Sequence, residues 1–218
     1  MRIRECGDSM LLIEFEPAID PVINERAILL ADRVRRRLVR GVRDVAPGYC
    51  TVGVHFDPLH ADLPALEDAI TAEAASISTI EAVADRAVIE IPVVYGGPDG
   101  PDLAAVAEHA GISEADVVAR HTARVYRVYM LGFVPGFAYM GRVDPAIAMA
   151  RHRVPRERVP AGSVGITGQQ TGVYPVESPG GWQLIGRTPT VMFDPARERP
   201  SLLEAGDFVR FVPAKGRA

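Results

Sequence analysis

Glycine and proline recur so often after Tyr126 that only short strands fit between them. Segments 125–131, 163–167, 172–176, 183–185 and 208–212 are rich in apolar and β-branched residues and are separated by turn-forming ones. Frequent short strands of this kind argue for a barrel or a sandwich, where backbone hydrogen bonds run from strand to strand. No internal repeat and no low-complexity tail interrupts the pattern.

The first stretch of about ninety residues keeps a different rhythm. Residues 10–16 form a short apolar run, and Asp20 followed by Pro21 is an N-cap with proline at the first helical position. Ile23, Ala27, Leu30, Val34 and Leu38 then recur every three or four residues, which predicts one buried helical face, with Gly41 placed to end the helix. Residues 42–46 and 50–56 read as a hairpin turning at Pro47-Gly48. A second helix begins near Asp62 with Leu63, Leu66, Ile70 and Ala74 on one side, and residues 86–93 alternate again as a strand. The order β-α-β-β-α-β is that of a ferredoxin-like split unit. The turn cluster from Tyr95 to Pro101 makes a natural boundary, giving domains 1–94 and 95–218, the second opening on a helical hairpin at 102–110 and 114–121. Ser113 and Asp116 provide a capping-box-like start for its second helix.

Charge excludes several functions. With a formal charge of −4 and a pI near 5.8, the chain has no long-range attraction for nucleic acid or an anionic membrane. The helical hairpin resembles a helix-turn-helix in spacing, but it would present Glu114 and Asp116 to a phosphate backbone, so it reads as structural. No apolar run approaches the ~18 residues that a membrane helix needs, and the charged start lacks the form of a signal peptide. Cys6 and Cys50 stand alone, as expected for reduced thiols of a cytoplasmic protein.

Motifs that would announce catalysis are missing. There is no P-loop, no G-x-G-x-x-G, and none of the five histidines has metal-ligand spacing, so no metal site is expected. Ser163, in Ala161-Gly162-Ser163-Val164-Gly165, lacks the spacing of a nucleophile elbow, and no histidine follows it. The richest stretch runs from Gly132 to Thr188, where closely spaced glycines stand beside polar residues, arginines and the lone Trp182. Such a mixture suits a polar-rimmed pocket, and equally tight turns in a small barrel.

Three segments in and beside this stretch, YMLGFVPGFAYMG, RVPAGSVGITGQQTGVYPVESPGGWQLIGRTP and LLEAGDFVRFVP, resemble the 5-oxoprolinase B-subunit family, also called allophanate hydrolase subunit 1 or the Kip sporulation-kinase inhibitors. The similarity extends through VVYGGPDGPDLAAVAEHAGIS and, more loosely, GDSMLLIEF. It implies an α+β chain, with an N-terminal ferredoxin-like domain and a C-terminal cyclophilin-like β-barrel. It implies two partners, a C subunit with a related barrel and a separate A subunit. Together with this chain they open 5-oxoproline to glutamate using ATP and its magnesium, no cofactor being tightly bound to this chain alone. The resemblance also leaves two alternatives open, a histidine-kinase inhibitor and the allophanate hydrolase or urea carboxylase type of subunit 1. On matching positions, Arg156, Gln170, Thr171 and Arg187 are expected as polar contacts to substrate. Tyr139, Tyr174 and Trp182 are expected as walls, and Gly162 and Ser163 as backbone donors; no catalytic residue is assigned. The segment Ala148-Met149-Ala150-Arg151-His152 departs from the family's usual threonine-proline-arginine turn, which puts a role for His152 in doubt.

Overall fold

The structure is a computed structural model that describes residues 1–37, 39–77 and 87–215. It divides into two compact units, Met1–Arg86 and Ala87–Ala218.

The N-terminal unit contains β1 (Arg2–Glu5), β2 (Met10–Glu14), α1 (Pro21–Arg37), β3 (Val42–Pro47), β4 (Thr51–Phe56) and α2 (Leu63–Ala75). The Asp20 carboxylate accepts from the amides of Val22 and Ile23, and Asp62 accepts from Ala65, so both helices start where the sequence places their caps. The strands form one antiparallel sheet in the order β1-β2-β4-β3. Leu11, Ile13, Val52 and Val54 of the sheet meet Leu30 and Val34 of α1 and Leu66 and Ile70 of α2 in a dry core. Leu38, expected in the α1 stripe, lies outside the described residues.

This sheet corrects the expected strand order. The β2-α1-β3 crossover with β4 inserted between its strands is present, but the position beside β2 is taken by β1. The alternating segment after α2 does not return to this sheet. It forms β5 (Val88–Tyr95) and pairs in the second unit instead, and Arg86, where the sequence reading begins it, lies outside the described residues. Alternation states that one face is buried; it does not name the partner.

The second unit continues with α3 (Leu103–Ala110), α4 (Glu114–Thr122), β6 (Val125–Leu131), β7 (Ala138–Gly141), β8 (Arg156–Val159), β9 (Ser163–Thr167), β10 (Gln170–Val173), β11 (Ser178–Gly180), β12 (Gln183–Arg187) and β13 (Phe208–Pro213). Seven of these strands close a barrel in the order β10-β7-β6-β13-β5-β12-β9, while β8 and β11 make a separate two-stranded ribbon. All neighbouring pairs are antiparallel except β5 and β13, which run parallel from Val88↔Phe208 to Val93↔Pro213. Ile91, Val93, Tyr126, Val128, Ile185 and Phe211 are among the residues filling the core, with Leu103 and Val106 of α3 and Val117 of α4 packed against them. The hairpin has the expected capping box, Ser113 with Asp116, and Gly111 at φ +67° between its helices.

The glycines of the 95–101 cluster are required by close approach. Gly96 N–H donates to Ile185 O at 3.1 Å and Asp102 N–H to Leu184 O at 2.9 Å, which presses this loop against β12. A Cβ on Gly100 would lie 2.1 Å from Ile185 O. Gly100→Ala is therefore expected to lower the stability of the barrel unit by about 1–3 kcal/mol, the scale of overpacking. Denaturant unfolding followed by Trp182 fluorescence measures it, and an unchanged midpoint would contradict this packing.

Candidate functional site

The residues singled out in sequence do not gather in one place; they fall into three settings on the barrel unit. The first is a cleft of about 530 Å³ where the ends of β5, β12 and β13 meet. Arg187 and Gly162 line it together with Asp99, Thr188, Thr190 and Lys215. Arg187 Nε donates to Ala161 O at 2.9 Å, so the guanidinium is anchored at its near end while the residue remains exposed. Gly162 sits at φ +82°, and a Cβ there would meet Thr188 O at 2.3 Å. Its amide donates to Tyr174 O at 2.7 Å and the Ser163 amide to Pro160 O at 3.2 Å. Both expected backbone donors are thus already used inside the fold, and Ser163 is buried opposite Arg187 in the β9–β12 ladder.

The second setting is an aromatic cluster beside the β8–β11 ribbon. Phe137 contacts Tyr139, Tyr174 and Trp182 with ring centroids 4.9–5.3 Å apart, in edge-on geometry. Phe133 adds an exposed ring at φ +69° against Phe137 and Tyr174. Burial raises the phenol pKa of both Tyr139 and Tyr174, so both stay neutral near pH 7. Arg156 lies on the same ribbon, and its Nη2 donates to Asp102 Oδ1 at 2.6 Å. The other oxygen, Asp102 Oδ2, accepts from Leu184 N–H at 2.7 Å and lies 3.3 Å from His152 Nε2, close enough to pair when the ring is protonated. Asp102 occupies the N-cap position of α3 but makes no capping bond; its carboxylate ties the helix start to β8 and β12 instead.

The third setting is the barrel interior. Thr171 is fully buried, its hydroxyl donating to Gly165 O at 3.1 Å and lying 2.9 Å from His121 Nε2. Nδ1 of His121 is 2.8 Å from the Tyr95 hydroxyl, and the ring stacks on Phe211 with centroids 4.7 Å apart. Burial holds the His121 pKa down to about 3, so the ring is neutral and both nitrogens are used in the core. Thr171 is thus a core contact in this geometry. Gln170, one residue earlier, is half-buried opposite Thr167 and Gly141.

Asp102, His152, His121, Tyr95 and Lys215 belong to these settings, yet sequence reasoning did not select them. Asp102 carried the signal of an ordinary helix cap, and Lys215 that of a tail. His121 gave no signal, because its partners come from positions 95 and 171. Among the described residues no group of three or more His, Cys, Asp or Glu side chains is placed to hold a metal ion, and no helix is long and apolar enough to cross a membrane.

The family model for the carboxyltransferase domain, subdomain C and D, matches residues 1–203. A curated 5-oxoprolinase B subunit of Escherichia coli O157:H7 is 45% identical over 212 residues, 96% of this chain and 94% of that one. The 5-oxoprolinase B subunit of Bacillus subtilis (strain 168) is 39% identical over 221 residues, 97% of this chain and 92% of that one. The chain belongs to the 5-oxoprolinase B-subunit family. Its fold also matches the crystal structure of a protein designated TTHA0988, with a TM-score of 0.85 and 38% identity, covering 99% of this chain and 41% of that one. Within the 5-oxoprolinase B-subunit framework, the long glycine-rich run from Arg158 to Pro189 contributes one wall of the cleft and part of the aromatic cluster.

Two outcomes follow from this geometry. Arg156→Met leaves the Asp102 carboxylate mostly buried without its cation, and should cost on the order of 3 kcal/mol. Adding Asp102→Asn should recover part of that loss in a double-mutant cycle, and strictly additive effects would show that the pair is not coupled. The buried neutral His121 acts on acid stability. Its folded pKa lies below the unfolded value of ~6.5, so its contribution is complete above that pH. Stability then falls by up to about 1.4 kcal/mol per pH unit as the pH drops from ~6.5 towards the folded value. The difference in unfolding free energy between pH 7 and pH 5 should shrink in His121→Gln; an unchanged difference would mean His121 is not the group responsible.

Proposed function

We propose that this chain is the B subunit of an ATP-dependent 5-oxoprolinase, which acts with the C and A subunits to open the lactam of 5-oxoproline to glutamate. The observation that carries the reading is end-to-end correspondence: the curated B-subunit relative from Escherichia coli O157:H7 is 45% identical across 96% of this chain and 94% of its own length. In this reading the N-terminal unit is a ferredoxin-like variant and the second a cyclophilin-like barrel, and the protein works in the cytoplasm. The split β2-α1-β3 crossover and the closed barrel support the two fold assignments.

The chemistry explains why several subunits are needed. A lactam carbonyl is a poor electrophile, and transfer of the ATP γ-phosphoryl group to its oxygen activates the carbon. Water adds there, the C–N bond breaks with the nitrogen leaving as the amine, and hydrolysis of the resulting acyl phosphate releases phosphate and glutamate. Such a site needs cations facing the developing charge and rigid walls that exclude water. Arg187 is an exposed cation that this chain contributes at the cleft. Arg156, in contrast, is paired with Asp102, and Tyr139, Tyr174 and Trp182 form an aromatic wall in a separate setting. No complete catalytic set is assigned to this chain, and alone it is expected to be inactive.

The test is reconstitution. Glutamate should form from 5-oxoproline and ATP only when this chain is mixed with its partner C and A subunits. Arg187→Ala should then lower turnover at least about tenfold, the scale of one charge-assisted contact. Stable assembly without lactam-dependent ATP hydrolysis would point to another substrate, and absence of any complex would favour a regulatory binding protein.

A further inference from the structure

Lys215 is the only lysine in the 218 residues, and the fold sets it in the same cleft as Arg187. The two cations reach the cleft from different strands. Arg187 ends β12, paired with Val94 of β5, and Lys215 follows β13, where Ala214 N–H donates to Val93 O at 2.8 Å. The Arg187 side chain is held at Nε by Ala161 O, which leaves its terminal nitrogens without a hydrogen-bond or ion-pair partner among the described residues. Lys215 and Asp99 likewise form no ion pair or side-chain hydrogen bond among those residues. Two unpaired cations and one carboxylate leave the cleft positive, in a chain whose formal charge is −4.

A solvated surface arginine gains little from being anchored, whereas a preorganised guanidinium loses less entropy when it binds a planar or tetrahedral oxyanion. The free Nη fork matches two oxygens of one anionic group, and an ammonium serves as a point charge for a neighbouring one. The cleft volume of about 530 Å³ falls within the range of small-molecule sites. Gly162, which leads into β9 beside β12, lines the cleft without a side chain, since a Cβ there would meet Thr188 O at 2.3 Å.

We propose that this cleft is an oxyanion site and that it takes the phosphate chain of a nucleotide. The choice of ATP as the physiological occupant rests on the functional reading above; the oxyanion chemistry rests on Arg187 and Lys215. A carboxylate such as that of 5-oxoproline shares this chemistry and is the competing occupant. In the proposal the cleft binds and orients the anion, and no bond-breaking step is assigned to it.

A single lysine makes the test selective. The full chain is treated with limiting acetylating reagent, and modification of Lys215 is followed by peptide mass spectrometry, with the N-terminal amine as internal control. Inorganic tripolyphosphate and ATP should each slow acetylation of Lys215 about tenfold at saturation, and added salt should weaken the protection. Arg187→Gln, an exposed change that leaves the fold intact, should abolish most of the protection without altering the reactivity of unliganded Lys215. Protection by 5-oxoproline with none by polyphosphate would overturn the nucleotide assignment. No protection by any of the three, or full protection in Arg187→Gln, would overturn the site. The functional reading separates cleanly from this result. Protection by ATP in a chain whose assembled complex leaves 5-oxoproline intact would keep the site and remove the lactam reading. Normal KM for ATP in assembled Arg187→Gln and Lys215→Met enzymes would do the reverse.

Discussion

The parallel pairing of β5 with β13 is the interaction on which the barrel unit depends. It joins residues 88–93 to residues 208–213, so a long stretch of chain must be ordered before the barrel can close. Loop-closure entropy opposes this, and the apolar ladder offsets it: Ile91, Val93, Val209 and Phe211 are all fully buried along the seam. Closure also removes the free edges that an open sheet of this size would expose. The same seam makes the cleft, because Val94 lies at the end of β5, Asp99 just beyond it, and Ala214 and Lys215 directly after β13.

Two short chains of polar groups tie the elements of the barrel unit together. Tyr95, His121, Thr171 and Gly165 O link β5, α4, β10 and β9 through the core, and the neutral histidine lets them do so without a buried charge. Asp102 performs the equivalent task at the surface of the barrel, tying α3 to β8 and β12 through Arg156 and the Leu184 amide. These two anchors hold the helical hairpin on the barrel wall, and they explain why a chain segment rich in alanine can dock firmly there.

Much of this was legible in the sequence where the signal is local. Asp20 and Asp62 cap the helices they precede, Gly111 ends α3 in the left-handed region, and the 163–167 and 208–212 segments are strands. What failed was partnership over distance. The alternation of residues 88–95 is genuine, but nothing within it distinguishes β2 from β13 as a neighbour, so the strand was expected in the wrong sheet. The same limit applies to the site. Arg187 and Gly162 do share a cleft, and Tyr139, Tyr174 and Trp182 share a wall, but Thr171 turned inward and the Gly162 and Ser163 amides are taken. Lys215 acquires meaning only because β13 returns beside β5.

Amide hydrogen exchange on the full chain tests the seam most directly. The amides of Ile91, Val93, Val209 and Phe211 should exchange among the slowest, with the opening free energy of global unfolding of the barrel unit. Fast exchange along β5 and β13 while β9 and β12 stay protected would contradict the claim that this pairing holds the barrel, and with it the cleft, together.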